Sequence, residues 1–278
     1  MNTLMLGLLA ETSVHPGTGQ SADIIDLPAA REAATGYPVI TGSSFKGALA
    51  DYARDLNFNQ ADFIFGKPDD AGALLVSDAR LLLLPVRSLT SAYKWVTCPH
   101  LLERWQRDAG RGGIALPELE FAVESGSYLG YCNQQLFLEE RQFAPVAGSK
   151  EKFVAVFTSL IEAIKPLIKH EETRKRLMDQ LVVISFDDFA WFAQNGLGVQ
   201  ARNVLDEETK TSNNLWYEEY IPADALFYAV LVERKPGAIA AIEPLFRQQP
   251  YIQLGGNETV GAGWFALSVI GGENATNP

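Results

Sequence analysis

The sequence contains few of the residues that mark secreted, zinc-binding or membrane proteins. Two cysteines, Cys98 and Cys132, are too few for a disulfide framework and fit apolar positions in a reducing compartment. The three histidines are far apart, so the sequence contains no cluster of His and Cys metal ligands. No apolar run approaches the ~18 residues of a membrane span, and no lysine or arginine precedes Arg31, which argues against a secretory signal. We therefore expect a cytoplasmic protein without a membrane anchor.

Positive charge is also scarce. The chain has 23 Lys and Arg against 34 Asp and Glu, a formal net charge of -11. Nucleic-acid-binding proteins usually have a basic balance, so the composition by itself argues against RNA binding. Net charge governs solubility and long-range steering, however, and a local groove can be positive on an acidic protein. If this chain binds RNA, we expect its basic residues to be concentrated on one face.

The hydrophobic content is high enough for a sizeable core, at 47% of 278 residues. Strand-like and helix-like runs alternate as β-α-β near the start of the chain and again near its end, and no repeat of fixed period is present. This order predicts an α+β fold. The length permits one large domain or two small ones.

One stretch combines a long irregular loop with a helix. Residues 15–41 contain three prolines and three glycines, which interrupt regular structure. A loop of this length inside a compact domain is most often functional. From Ser43 the apolar spacing predicts a helix, with Ser43 and Ser44 suited to cap it and Lys46 and Arg54 off its core-facing side. A helix start with free amides and a nearby lysine is a predicted anion site, and phosphate is the usual anion.

A long β-hairpin is predicted in the C-terminal half. Strand-like runs around residues 199–204 and 215–220 flank a polar tip at residues 206–214. Arg202 and Trp216 lie within these runs. A tryptophan in such a place is more often part of a core or an interface than a stacking platform for bases.

A glycine-rich loop follows in the segment LGGNETVGAGW. Gly255, Gly256, Gly261 and Gly263 permit backbone amides to approach a phosphate closely, at φ values that other residues avoid. A Walker phosphate loop is excluded, because Ala262 and Gly263 stand where Lys and Ser or Thr are required.

The irregular loop and its helix together resemble a known signature. HPGTGQSADIIDLPAARE followed by TGSSFKGALADYAR is similar to the RAMP superfamily, the repeat-associated proteins that bind guide RNA in CRISPR systems. The segment AGALLVSDARLLLLPVRSLTSAYKWVTCPHLLERW extends the resemblance, which points to the repeated backbone subunit of the type III-B (Cmr-type) effector complex. It covers the chain from Leu8 to Ala266.

The resemblance implies that residues 1–278 form a single RAMP domain with a ferredoxin-like (RRM-like) palm. Two insertions are expected in that palm. One is a long loop around Asp26, at about residues 14–42, and the other is a β-hairpin thumb at about residues 187–222. In the family the thumb reaches over the guide and interrupts its base stacking. The implied partners are guide RNA, target RNA, further copies of the chain and other RAMP subunits.

The resemblance also implies roles for individual residues. The aspartate at the position of Asp26 lies on the loop that cuts target RNA. The helix start with Ser43, Ser44 and Lys46 contacts the guide-RNA backbone. Further RNA contacts are expected from Arg54, Arg202, Trp216, Gly255, Gly256, Gly261 and Gly263.

Cleavage of RNA by its own 2′-hydroxyl needs a base, an acid and an in-line geometry, which splayed single-stranded nucleotides supply. Asp26 suits a general base or a ligand to a divalent metal, Mg²⁺ or Mn²⁺, that keeps several waters. Without the resemblance, an Asx turn ahead of Pro28 is the simpler interpretation of Asp26. His15 is either the acid, since imidazole titrates near neutrality, or a loop histidine bonded to the backbone. Asp23 is a nearby second carboxylate without support from the family.

Two functions of different classes follow. The first is a guide-RNA-binding backbone subunit of a type III-B complex that is also a metal-dependent endoribonuclease and cleaves guide-complementary target RNA at regular intervals. The second is a non-catalytic guide-RNA scaffold whose aspartate is idle. Asp26 favours the nuclease. A backbone subunit of a DNA-targeting complex is disfavoured, because it would lack this carboxylate loop.

Overall fold

The computed structural model describes residues 2–21, 24–119, 122–132, 134–146 and 150–271, with side chains from residue 154 onward in the helix that begins at residue 150. Asp23 lies outside these ranges. The fold is mixed α/β and is built on one large sheet with parallel and antiparallel pairs. This agrees with the predicted combination of helices and strands.

The described residues form sixteen strands and seven α-helices. The strands are β1 (Thr3–Ala10), β2 (Val39–Ile40), β3 (Gly66–Lys67), β4 (Asp70–Ala71), β5 (Leu74–Val76), β6 (Ala79–Arg87), β7 (Tyr93–Thr97), β8 (Ser127–Gly130), β9 (Leu136–Leu138), β10 (Arg141–Pro145), β11 (Leu181–Ile184), β12 (Gly198–Leu205), β13 (Ser212–Tyr220), β14 (Leu226–Glu233), β15 (Tyr251–Gln253) and β16 (Trp264–Gly271). The helices are α1 (Gly42–Asp55), α2 (Ala61–Phe65), α3 (Pro99–Arg111), α4 (Lys150–Ile164), α5 (Glu171–Gln180), α6 (Phe186–Asn195) and α7 (Ala238–Gln248). Short 3₁₀ helices cover Lys165–Leu167 and Glu258–Val260.

The first strand is central in the sheet, as its apolar sequence predicts. β1 lies between β14 and β16 and pairs antiparallel with both. Seven of its eight residues are buried, as expected for a strand covered on both faces. Four adjacent strands of the sheet follow the order β16-β1-β14-β6, and α1 follows β1 in the chain while α7 follows β14.

The sheet separates two hydrophobic cores. Because successive side chains of a strand point to opposite faces, Leu6 and Leu8 of β1 lie in one core while Met5 and Leu9 lie in the other. The first core is covered by α1 and α7 and the second by α3 and α4. Gly7 is required by close packing on the second side, since a Cβ there would lie 2.2 Å from the carbonyl oxygen of residue 167.

The predicted hairpin and the predicted irregular loop are both confirmed. β12 and β13 pair antiparallel and form a separate two-stranded sheet whose outer half is exposed. Between residues 15 and 41, the described residues form β2 and isolated bridges, one of which pairs Leu27 with Glu218 of β13. The loop therefore lies against β13 of the hairpin. None of the described helices is long and apolar enough to cross a membrane.

Candidate active site and nucleic-acid interface

Asp26 is held at the edge of β13. Its carboxylate oxygen Oδ2 accepts a hydrogen bond from the amide of Tyr217 at 2.8 Å, and the backbone of Leu27 exchanges hydrogen bonds with Tyr217 and Glu219. The partner of the carboxylate is thus distant in sequence, so a local Asx turn does not describe it. Asp26 lines an open pocket of about 350 Å³ together with β13 residues. The carboxylate is fixed through one oxygen beside the middle of the hairpin.

His15 is bonded to the same strand. Its side chain is buried, and Nδ1 lies 2.7 Å from the carbonyl oxygen of Glu219, so Nδ1 carries the proton and donates it. The imidazole packs 5.5 Å from the ring of Tyr220. His15 is therefore bonded to the backbone through Nδ1, and its role as an acid stays a prediction. Asp26 and His15 bond to backbone groups two residues apart on β13, roughly 7 Å along the strand.

A buried ion pair holds the part of the loop that follows Asp26. The carboxylate of Glu219 accepts from the guanidinium of Arg31 at 2.6 Å and from the amide of Ala29 at 3.0 Å. Arg31 also donates to the carbonyl oxygen of Ala193 at the end of α6. Glu219 thus contacts the loop with both its side chain and its backbone.

A second ion pair joins the loop to α3. The Glu32 carboxylate accepts two hydrogen bonds from Arg104, at 2.6 and 2.8 Å, and one from the hydroxyl of Thr35. Burial alone would raise the pKa of Glu32, but the bonds from Arg104 and Thr35 outweigh it, and the pKa lies below its ordinary value. The loop is therefore anchored to β13 on one side and to α3 on the other.

The residues around Glu218 form a polar network that the sequence analysis missed. The buried carboxylate accepts from Trp216 Nε1 at 2.7 Å, from the Tyr220 hydroxyl at 2.5 Å and from Asn257 Nδ2 at 2.8 Å, and Arg202 Nε lies 3.3 Å away. Burial alone would raise the pKa of Glu218, but the bonds from Tyr220 and Trp216 and the charge of Arg202 lower it. Burial and the bond to Glu218 raise the pKa of Tyr220.

Part of this network was visible in the sequence. Trp216, Glu218 and Tyr220 alternate along β13 and so share one face of the strand. The contribution of Asn257 was not visible, because it comes from the glycine-rich loop 39 positions from Glu218. The network ties the base of the hairpin to that loop.

The start of α1 differs from the prediction. The helix begins at Gly42 with Thr41 as its N-cap, and no side chain caps it. Ser43 and Ser44 are exposed within the first turn, so the prediction that they cap the helix is wrong. The amide of Gly42 donates to Asp78 Oδ1 at 2.7 Å. A carboxylate from the connection between β5 and β6 therefore already lies at the positive end of the helix.

The other predicted RNA contacts lie in three places. Lys46 is half-buried one turn into α1, and Arg54 is exposed and paired within the same helix. Arg202 and Trp216 are half-buried and face the Glu218 carboxylate on the hairpin. The structure does not bring the α1 residues and the hairpin residues into contact, and their roles toward RNA stay predictions.

The glycine-rich loop packs against the segment that carries His15. Gly255, Gly261 and Gly263 have φ values of 91°, 82° and 82°, which side chains disfavour. The amides of Gly256 and Gly263 donate to carbonyl oxygens of residues 13–15 at 2.9 Å. These two amides thus serve the fold, and contacts of the four glycines with phosphate stay a prediction.

The donors near Asp26 do not form a metal centre made by protein alone. Within the described ranges, no group of three or more His, Cys, Asp or Glu side chains converges on one point. Asp26 already uses one oxygen for the Tyr217 amide. Such a donor set fits Mg²⁺ only as an ion that keeps several waters and takes further ligands from the RNA.

The comparisons with known proteins identify the family and the fold. The family model of the RAMP superfamily matches residues 8–266. The CRISPR system Cmr endoribonuclease Cmr4 of Pyrococcus furiosus is 33% identical over an alignment of 289 positions, which covers 97% of this chain and 96% of the relative. The crystal structure of oligomeric Cmr4 from Pyrococcus furiosus matches with a TM-score of 0.79 at 28% identity, covering 99% of this chain and 100% of that one. A chain of the type III-B Cmr-beta complex bound to cognate target RNA shares the fold, with a TM-score of 0.76 at 22% identity over 97% of both chains.

Proposed function

The chain belongs to the RAMP superfamily, and from this membership we propose that it is a guide-RNA-binding backbone subunit of a type III-B CRISPR effector complex that cleaves target RNA. The relative from Pyrococcus furiosus, named a Cmr endoribonuclease, supports this function because it matches nearly the whole of both chains. The observation that carries the proposal is the Asp26 carboxylate, held by the Tyr217 amide in an open pocket beside the middle of the hairpin.

The proposed architecture is a single RAMP domain over residues 1–278. Its palm is ferredoxin-like, which the order β16-β1-β14-β6 with α1 and α7 as crossover helices supports. The Asp26 loop, at about residues 14–42, and the thumb, at about residues 187–222, are its two insertions. The bridge between Leu27 of the loop and Glu218 of β13 brings the two insertions into contact.

In the proposed reaction Asp26 is the general base. It takes the proton of a 2′-hydroxyl while that oxygen bonds to the adjacent phosphorus, and the bond from phosphorus to the 5′-oxygen breaks as this oxygen receives a proton from water. The hairpin beside Asp26 supplies the in-line geometry by separating neighbouring nucleotides. His15 is a positioning residue in this proposal, because its Nδ1 bond to the Glu219 carbonyl oxygen holds the start of the loop against β13.

Dependence on a divalent metal is part of the proposal. A Mg²⁺ or Mn²⁺ ion held by Asp26, waters and RNA phosphate would offset the negative charge that builds up at the phosphate. EDTA should stop cleavage, and added Mg²⁺ or Mn²⁺ should restore it. Cleavage at full rate in EDTA would remove the metal from the proposal and leave Asp26 as base.

The proposed partners are guide RNA, target RNA, further copies of the chain and other RAMP subunits. The oligomeric form of the similar Pyrococcus furiosus protein supports association between copies. A repeated lattice on one RNA requires a head-to-tail interface that does not close into a ring. Mass photometry should show a ladder of masses on a long guide, and a strictly monomeric complex would contradict this.

The decisive experiment is Asp26→Asn in the reassembled complex. The change keeps size but removes the charge, so cleavage should fall by roughly 10²-fold or more. Guide and target binding should stay near wild type, because an acidic loop adds nothing favourable to phosphate affinity. One cleavage time course and one binding isotherm for each variant measure this.

His15→Ala is the matched comparison for Asp26→Asn. It should reduce cleavage less, since His15 acts by holding the loop. An equal loss in both variants would instead make His15 the acid. Cleavage at full rate by Asp26→Asn would contradict the nuclease and favour the non-catalytic scaffold.

A further inference from the structure

A second open cavity lies beside α3 and is lined almost entirely by charged side chains. Its volume is about 740 Å³, and it shares no lining residue with the pocket at Asp26. The lining consists of Thr35, Arg80, His100, Arg104, Arg107, Asp108 and Arg111. Four arginines and one aspartate leave an excess of positive charge in a chain whose net charge is -11.

The arginines of α3 form one face of the helix. Arg104, Arg107 and Arg111 are spaced by three and four residues, which places them one above another. At 1.5 Å per residue they span about 10 Å along the helix axis. The row is longer than one phosphate group, so it suits an extended anion.

The inner arginines of the cavity are held in place by buried carboxylates. Asp108 is 3% exposed and accepts hydrogen bonds from Arg80 at 2.6 Å, from Arg111 and from the hydroxyl of Tyr228. Arg104 is fixed by its two bonds to Glu32. Two guanidinium groups are thus oriented before any ligand arrives, which reduces the entropy lost on binding.

The outer donors of the cavity are available. The side chains of Arg107 and Arg111 are 62% and 74% exposed. Arg107 pairs with Glu103 at 3.6 Å on the surface, an interaction that contributes little in water. Nδ1 of His100 is buried and has no hydrogen-bond partner in the described part of the chain.

We propose that this cavity binds the phosphodiester backbone of single-stranded RNA. The planar guanidinium matches phosphate oxygens with paired hydrogen bonds, and such contacts position RNA without reading its sequence. A protein partner would require apolar side chains and rings such as Tyr, Trp or Phe at the centre of the contact, whereas this cavity is lined by Thr, His, Arg and Asp side chains. The inference rests on the proposed function, which supplies the RNA, and it meets the requirement for a local concentration of basic residues.

The cavity connects RNA binding to the Asp26 loop. Thr35 lines the cavity, and Glu32 on the same loop holds Arg104. A backbone seated along α3 therefore contacts the far end of the loop that carries Asp26. The RNA strand is either guide or target, and the test separates the two.

The test compares Arg107→Ala/Arg111→Ala with a charge-matched control, Lys67→Ala/Arg87→Ala. The control side chains are 62% and 70% exposed and lie outside the cavity. One arm measures guide RNA binding by the isolated protein, and the other measures target RNA binding by the guide-loaded complex, each at several salt concentrations. In the arm whose RNA occupies the cavity, guide or target, the cavity variant should bind about tenfold more weakly than the control. The salt slope of that binding should be lower by about one to two units.

The single variant Arg107→Ala is included in case the double variant misfolds. Among the described residues Arg107 pairs only with exposed Glu103, so its loss should not disturb the fold. This variant should show part of the loss of RNA binding seen in the double variant. Unchanged binding in both arms, by a wild type that binds RNA, would overturn the cavity site alone. Loss of self-association without RNA would overturn it in favour of an acidic protein surface. A wild-type protein that binds no RNA would overturn the proposed function as well.

Discussion

The hairpin and the Asp26 loop lie side by side, yet different contacts hold them. β12 and β13 follow each other in the chain and pair in a nearly continuous register. The loop is attached by single hydrogen bonds and ion pairs to residues 188 and 191 positions away, as in Arg31 with Glu219 and Asp26 with Tyr217. A regular ribbon tolerates the loss of one contact, whereas a loop held at a few points does not. The reactive position is therefore expected to be the more sensitive of the two.

The largest effect is expected from Glu219→Ala. The change leaves Arg31 unpaired in a partly buried position and the Ala29 amide without its acceptor. The free energy of unfolding should fall by about 3 kcal/mol, and cleavage should fall with it because the loop that carries Asp26 loses its anchor. Urea unfolding and a cleavage time course measure the two effects.

The matched controls for Glu219→Ala separate position from charge. Glu219→Gln keeps an acceptor oxygen, so it should cost about 1–2 kcal/mol. Glu207→Ala removes the same charge at the exposed tip of the hairpin and should leave stability and cleavage unchanged. Equal effects of Glu219→Ala and Glu207→Ala would break the proposed difference between loop and hairpin.

The next effect concerns the hairpin tip, residues 206–211, which lies outside both strands. Replacing it with Asn-Gly forms a two-residue turn and should change stability by less than about 0.5 kcal/mol. If the hairpin separates RNA segments, the regular spacing of cut sites should blur. A tip of six Gly and Ser residues keeps the length as a control. Identical cut patterns on a sequencing gel would make the tip a surface turn.

A smaller effect should appear in the pH dependence of stability. The pKa of Glu218 is below its ordinary value of 4.5, so its stabilisation is present above that value and is lost as pH falls through the folded-state pKa. Glu218→Gln should therefore flatten the decline of the unfolding temperature below pH 4.5. If the unfolding temperature of Glu218→Gln declines as steeply as that of the wild type, groups other than Glu218 cause the loss of stability in acid.

The smallest effect is expected outside both regions, at Lys46. Lys46→Ala should weaken guide binding with little sequence preference and lower the salt slope by about one unit. Stability and the cut pattern should not change. Lys67→Ala, at an exposed site, is the control. If filter binding gives the same affinity and salt slope for Lys46→Ala and wild type, the predicted contact between Lys46 and phosphate is wrong.

Local patterns predicted most of the elements. The first strand, the core face of α1 and the hairpin all follow from the apolar and polar pattern, which acts within a few residues. The cap of α1 was predicted wrongly, because Asp78, in the connection between β5 and β6, binds the first amide of the helix. The Glu218 network and the arginine cavity were missed for the same reason, since their members come from separate segments.

The sequence by itself determined that helices and strands are combined in one fold, and it determined the irregular stretch around Asp26, the hairpin and the resemblance to the RAMP superfamily. These depend on the order and spacing of residues along the chain. Only the tertiary structure decided that Asp26 and His15 meet one edge of β13, and that four arginines of an acidic chain surround one cavity. Such contacts depend on which distant segments pack together, and the spacing of residues within one segment does not determine that packing.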